Sequence, residues 1–435
     1  MPTVNIAGQP SLVVRRWYAL GVLTAVYVSN IADRFVMSTL IEPIKRDLHL
    51  SDTAIGFLTG TALAIFYTGM GIPLGLIADR VDRRRMIALS IALWSMMTAA
   101  CGAATTFSQL MLARIGVGIG EAGGTPASQS ILSDLFPFSQ RILATSIFAL
   151  GAAVGSMFGS NVGGTVADAF GWRVTFLALA VPGIALAVLA RFTVREPVRG
   201  AYDKSELLCK ASFADTVKFV RSQQSLLHVL AAGTVVTYWG WGLLWWTPAF
   251  LMRAHAMTTA QAGSLLGTVN GIGGAVGIVA GGLVTHRLAR QEPRWQIWVV
   301  GIATLIGTLA SIGLFIGNTF FQVQVSLWLF VPVAYLNIPP LLSLTQSLVL
   351  PQMRALACAM LLFGANIANL ALAPQLIGIL SDFLSAGSGD TARSLRIALL
   401  LNTFTGFWAV YHFWSAGKTL RSDLERAGVR LGKAK

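Results

Sequence analysis

Apolar residues run in long stretches along almost the whole chain, separated by short polar stretches rich in Lys and Arg. A helix needs about 20 apolar residues, at 1.5 Å each, to cross a hydrocarbon core of roughly 30 Å. Twelve such spans can be placed, at 17–41, 53–78, 86–104, 108–135, 143–168, 174–192, 227–251, 259–285, 296–316, 323–349, 355–381 and 393–415. Gly and Pro occur inside them, which membrane helices tolerate. The expected fold is all-α and integral to the membrane, with twelve transmembrane helices in two pseudo-symmetric six-helix bundles.

The longest polar stretch, Arg195 to Gln224, divides the spans six and six. It implies a first bundle over 1–194, an inter-bundle loop over 195–225 and a second bundle over 226–435. An internal repeat supports the division. At an offset of 207, Gly56, Gly60, Gly75 and Arg80 align with Gly263, Gly267, Gly282 and Arg287; at 214, Ser160, Gly164 and Asp168 align with Pro374, Gly378 and Asp382.

Composition agrees with a membrane chain. Of 435 residues 55% are hydrophobic and 11% charged, against about 25% charged in soluble domains. The net charge of +14 would suggest nucleic acid on a soluble protein. Here the basic residues sit in loops, where they set topology and meet anionic headgroups, so no nucleic-acid partner is expected. With the N-terminus inside, 24 Lys and Arg fall on the cytoplasmic side and six outside. Both termini are therefore expected in the cytoplasm. The first run is too long for a signal-peptide core and should be retained. Cys101 and Cys358 lie in apolar helices and Cys209 in a loop; there is no CxxC and no Cys/His cluster. No disulfide framework, metal or cofactor is expected.

Four charges break the apolar pattern: Asp33 and Arg34 in span one, Arg114 and Glu121 in span four. A charge near the bilayer centre costs at least about 2.5–3.5 kcal/mol and usually marks a functional path. Arg114 and Glu121 are two helical turns apart on one face. Asp33 and Arg34 point about 100° apart, so one can face a cavity and the other a neighbouring helix. Asp33 and Glu121 are the candidates for binding and releasing protons. Arg34 and Arg114 would hold their charge or that of a substrate head group. A static ion-pair network is the plainer alternative.

The loop after span two reads Gly75-Leu-Ile-Ala-Asp79-Arg80-Val-Asp82-Arg83-Arg84-Arg85. It resembles the signature loop of the major facilitator superfamily, with Asp82 where that pattern has Gly. Gly75, Asp79, Arg80, Arg83 and Arg84 form the candidate cytoplasmic gate, in which Asp79 would cap a neighbouring helix. Span five, Gly151 to Gly164, is similar to a glycine-rich antiporter motif, with Ser160 where Pro is typical.

The chain further resembles the bacterial spinster family of sphingolipid and lysophospholipid transporters. The resemblance rests on Asn30 to Arg34, Glu42 to Leu48, Arg114 to Pro126, Ser133 to Pro137, Phe170 to Arg173 and Arg195-Glu196-Pro197. It implies a proton-linked carrier of an amphiphilic lipid in a bacterial inner membrane, working by alternating access as a monomer. Asp33, Arg34, Arg114 and Glu121 match the family's intramembrane positions. Similar charges also occur in organic-anion symporters, which leaves a sugar-acid symporter and a broad drug exporter as other readings.

The second half has no charge inside its spans. Tyr238, Trp241, Asn270, Asn337 and Asn366 are its candidates for lining the cavity, giving a charged wall opposite an aromatic one. Trp245 and Trp246 read as an interfacial belt, and His228, His255 and His412 as interfacial. Pro332, Pro339 and Pro340 break span ten. No nucleophile elbow, HExxH or ligand cluster points to an enzyme.

Overall fold

The computed structural model describes residues 10–78, 80–199 and 212–428, and every element among them is a helix. The first half contains α1 (Pro10–Thr39), α2 (Asp52–Gly56, Phe57–Thr61 and Ala62–Ala78), α3 (Arg83–Ala103) and α4 (Phe107–Leu135). A continuous helical trace, Phe138–Thr193, is two spans. Gly171 breaks it at φ 83°, a left-handed conformation that favours glycine. We call the parts α5 (138–170) and α6 (172–193).

The second half contains α7 (Gln224–Ala254), α8 (Thr259–Thr268, Val269–Gly273 and Gly274–Ala289), α9 (Trp295–Ile316) and α10 (Phe320–Leu336 and Ile338–Ser347). It ends with α11 (Arg354–Asn366, Ile367–Leu372 and Ala373–Ser388) and α12 (Thr391–Thr403 and Thr405–Arg426). An amphipathic helix, Phe213–Ser222, precedes α7. Among the described residues nine helices are long and apolar enough to cross a membrane. The break at Gly171 makes ten; α4 and α12, diluted by polar residues, complete the twelve. Side chains such as Leu112, Val181, Phe192, Leu309 and Phe383 are exposed, as expected of surfaces facing lipid.

The duplication appears in local geometry. His49 and Ala256, 207 apart, are the two non-glycine residues with positive φ, at 52° and 51°, among the described residues. Two residues later Ser51 caps α2 by accepting from Ala54 N, and Thr258 caps α8 by accepting from Gln261 N. The halves then cross as α2 with α11 and α5 with α8. A methyl on Gly56 would strike the Pro374 carbonyl; one on Gly263, its equivalent, would strike that of Ser160. Likewise Gly378 lies against Asp52 and Gly164 against Thr259. These close crossings share one end of the molecule, which we call the closed end; it bears the α1–α2 and α7–α8 connections.

Candidate functional site

Beyond the closed end the halves part around a central cavity of about 290 Å³. The first half presents Arg34, Tyr27 and Phe35; the second presents Thr237, Trp241, Trp245 and an amide cluster of Asn337, Asn366 and Asn369. On α7 the cavity face repeats every four residues, through Gly233, Thr237, Trp241 and Trp245. Tyr238 lies one position past Thr237, about 100° round the helix, and does not line the cavity. Nor does Asn270, which is buried in the wide turn of α8 near the α5–α8 crossing, while Ile278 is that helix's cavity residue. Trp245 is buried rather than interfacial: its indole N–H donates to Asn369 Oδ1 at 2.9 Å. Trp246 is wholly buried and donates to the Pro374 carbonyl. His228 and His412 are not isolated, their Nδ1 atoms being 2.8 Å apart.

The four intramembrane charges form two crossed pairs. Arg34 turns to the cavity, donating from Nε to Glu121 Oε2 at 2.8 Å, with its guanidinium 4.6 Å from the centre of the Tyr67 ring. Asp33 turns the other way, into the first half. Its Oδ1 accepts from Thr98 at 2.9 Å, and its Oδ2 lies 3.7 Å from Arg114 Nη1. Asp33 is 4% exposed, Arg114 1% and Glu121 0%. The pairs are incompletely satisfied: Asp33 Oδ2, Glu121 Oε1 and Arg114 Nε and Nη1 have no hydrogen-bond partner. Such groups carry a desolvation cost that a well-made static pair would avoid. Arg114 does not line the cavity, so of the two intramembrane arginines Arg34 is the one that faces it.

Of the signature loop, Asp79 lies outside the described residues and Arg80 is exposed. Arg83 is buried, donating from Nε to Glu196 at 2.7 Å and from Nη1 to Ser130 and Asp134. It staples α3 to the end of α4 and to the segment after α6, all within the first half. Arg84 pairs with Asp82 at 3.1 Å and donates its backbone N–H to Glu196. Asp82 caps α3 by accepting from Arg85 N. Partial burial pushes its carboxyl up, but the Arg85 N–H, Arg84 and Arg85 together hold it below the usual range.

Sequence reasoning missed a second ionic centre, at the closed end. Arg253, 5% exposed at its side chain, donates to both oxygens of Asp52, at 2.8 and 2.7 Å, and to Glu42 at 2.6 Å. Lys45 also pairs with Asp52, and Ser381 donates to it at 2.7 Å. The Asp382 carboxylate accepts the backbone N–H groups of Asp52 and Thr53 at the start of α2, at 3.0 and 2.7 Å. Glu42, Lys45 and Asp52 belong to the first half, Arg253, Ser381 and Asp382 to the second. Two signals pointed here: the Asp168/Asp382 repeat and the Glu42–Lys45 segment.

The comparisons with known proteins agree with this architecture. The family model for the Major Facilitator Superfamily matches residues 23–373. An MFS-type efflux pump of Mycolicibacterium smegmatis is 33% identical over 413 residues, 95% of each chain. The sphingosine-1-phosphate transporter of Danio rerio is 26% identical over 438 residues, 95% of this chain and 86% of that one. The crystal structure of a bacterial homologue of the human lysosomal transporter Spinster, inward-facing and unoccupied, superposes with a TM-score of 0.86. It is 26% identical, over 98% of this chain and all of that one.

Proposed function

The chain belongs to the major facilitator superfamily and is an integral membrane transporter of a small molecule; from that premise we propose that it carries an amphiphilic lipid by proton-linked alternating access. The observation that carries the reading is the cavity-facing Arg34, held by a buried Glu121. Protonating Glu121 would cancel the pair's negative partner and free the guanidinium for a substrate anion. Deprotonation would reclaim Arg34 and favour release. Asp33 and Arg114, deeper in the first half, would provide a second proton-binding carboxylate and its counter-charge. The Phe35, Trp241 and Trp245 rings give a chain-binding surface beside that head-group position.

The distribution of Lys and Arg supports cytoplasmic termini and a bacterial inner membrane. In that orientation the closed end faces outward and the cavity is reached from the cytoplasm, as in the inward-facing relative. The 207- and 214-residue offsets support bundles over 1–194 and 226–435 joined by 195–225. Nothing in the proposed cycle requires more than one copy.

The test is lysophospholipid transport by purified protein in liposomes, with and without a pH gradient, beside Glu121→Gln. Transport that follows the gradient in the native protein and loses pH dependence in the variant is expected. Equal coupling in the variant would remove Glu121 from the proton path. The likeness to an efflux pump favours one second reading, export of amphiphilic drugs. Gradient-driven movement of amphiphilic dyes, without lipid transport in the same vesicles, would select it.

A further inference from the structure

One seam of the first half, away from the central cavity, is left open on the outer surface of the bundle. α3 and α6 run side by side there, near the end opposite the closed end, with a groove of about 510 Å³ between them. Its floor is made by Ala88, Ala92 and Ala187. Arg85, Ala88 and Ala92 share one face of α3, at i, i+3 and i+7. Arg191 stands one turn beyond Ala187 on α6. Leu89, Val188 and Phe192 are exposed and form the rim. Arg85 lies in the first turn of α3 and Arg191 in the last turn of α6, so both guanidiniums stand at the same mouth of the groove. Among the described residues the lining contains these two charges and no carboxylate.

The internal repeat supplies a contrast. In the second half the equivalent helices, α9 and α12, meet through Trp298 stacked on Trp414, with ring centroids 5.3 Å apart. A methyl on Gly417 would strike the Trp298 indole. Two indoles close that seam; alanines leave this one empty. The arginines are also under-used. Among the described residues Arg191 has no hydrogen bond or ion pair, only the neighbouring Phe192 ring. Arg85 is 65% exposed at its side chain and reaches Asp82 at 3.5 Å, a carboxylate already paired with Arg84 at 3.1 Å. Guanidinium groups with spare donors suit a phosphate, which they hold by paired N–H bonds. A soluble anion gains nothing from the apolar floor, and a lipid without net charge gains little from the arginines. An anionic phospholipid uses both.

We propose that the α3–α6 groove holds one anionic phospholipid: Arg85 and Arg191 take its head-group phosphate, and the alanine floor takes the first part of an acyl chain. Basic pockets between membrane helices on the cytoplasmic side suit such head groups, and the orientation proposed above puts this end in the cytoplasmic leaflet. The inference takes only that orientation from the transport reading. The lipid is a resident and not the cargo, since the groove and the central cavity share no lining residue. It ties the start of α3, just after the signature loop, to the end of α6, just before the stretch that joins the halves.

Native mass spectrometry of the purified full chain in detergent counts bound lipids directly. Phosphatidylglycerol and phosphatidylcholine with the same acyl chains are the probes, the first with a net negative charge and the second with none. The native protein should bind one phosphatidylglycerol more tightly than phosphatidylcholine by about 10- to 30-fold, as two basic residues near the membrane surface predict. Arg85→Gln together with Arg191→Gln should reduce the preference to about threefold or less. Ala92→Trp keeps both charges, fills the floor as the second half does, and should also lose the tight adduct. Equal affinity for the two lipids in the native protein overturns the site. A preference that survives Ala92→Trp overturns the groove and leaves a diffuse surface attraction. Displacement of the lipid by an equal concentration of glycerol 3-phosphate overturns the lipid in favour of a soluble anion. The native comparison needs no variant, so a substitution that folds poorly cannot mask the result.

Discussion

Replacing Arg253 with Met tests whether the closed-end cluster holds this conformation. The side chain donates to three carboxylate oxygens, two on Asp52 and one on Glu42, and all three groups are nearly excluded from water. Met keeps much of the volume and removes the charge. Asp52 would then keep only Lys45, and Glu42 only the exposed Arg46 at 4.0 Å. Removing one partner of a buried pair costs about 3–5 kcal/mol, chiefly by stranding the other charge. That cost falls on the closed form only, because parting the halves hydrates Glu42 and Asp52. The equilibrium should move toward an open closed end by about two to three and a half orders of magnitude. Cysteines placed at Phe170 and Ala386, both exposed at this end of opposite halves, would carry spin labels for distance measurement. A longer inter-label distance is expected in Arg253→Met. The triple variant Glu42→Gln, Asp52→Asn, Arg253→Met strands no carboxylate, leaving only the partly exposed Lys45 without its partner, and should recover most of the native distance. An unchanged distribution in the single variant, or a triple variant as open as the single, would refute the reasoning.

Three further outcomes are expected. Gly378→Val places a branched side chain against the Asp52 backbone; it should abolish transport with little loss of thermal stability in detergent, since the clash exists only when the halves meet, and normal transport would deny that closure is part of the cycle. Arg83→Met removes the guanidinium shared by Ser130, Asp134 and Glu196 and should lower the melting temperature without changing the label distance at the closed end; a changed distance would make Arg83 part of an inter-half gate. Asp82→Ala should cost about 1 kcal/mol at neutral pH through loss of the α3 cap. The native Asp82 carboxyl is held below its ordinary range, so its contribution is present above that range and fades as pH falls through the lowered value. Thermal melts of native protein and Asp82→Ala should therefore converge in acid, and a gap that persists there would contradict the capping account.

The spans and their number were legible because their length and hydropathy answer to one physical constraint, the thickness of the hydrocarbon core. The pairing of charges was only half legible. Helical geometry required Asp33 and Arg34 to part, but could not say which faced the cavity. That depended on Thr98 and Arg114 lying on helices that pack behind α1. Tyr238 and Asn270 were misplaced because an aromatic or amide in an apolar span signals burial without direction. Trp246 looked interfacial beside the end of α7, yet its N–H is satisfied by Pro374 on α11, a contact some 130 residues away in sequence. The closed-end cluster escaped for the same reason. Glu42, Asp52, Arg253 and Asp382 each sit at a span end, where a charge is ordinary, and only the fold brings them together.

The two ionic centres are joined by α1. Arg34 and Glu42 are eight residues apart, about 12 Å along a helix, with a single turn residue at Leu40 between α1 and the short helix Ile41–Asp47. A tilt of α1 large enough to withdraw Arg34 from Glu121 would also move Glu42 against Arg253. If substrate binding at Arg34 favours one tilt, reciprocity requires the state of the closed-end cluster to change substrate affinity by the same factor. Arg253→Met and Glu121→Gln should each shift the label distance, and lipid at saturating concentration should shift it further in the native protein and in Arg253→Met but not in Glu121→Gln. A lipid-induced shift in the native protein that disappears in Glu121→Gln, while Arg253→Met keeps its own, would place the coupling through α1. If lipid binding leaves the distance unaltered in every form, the centres act independently, and the buried Arg34–Glu121 pair has no influence on closure.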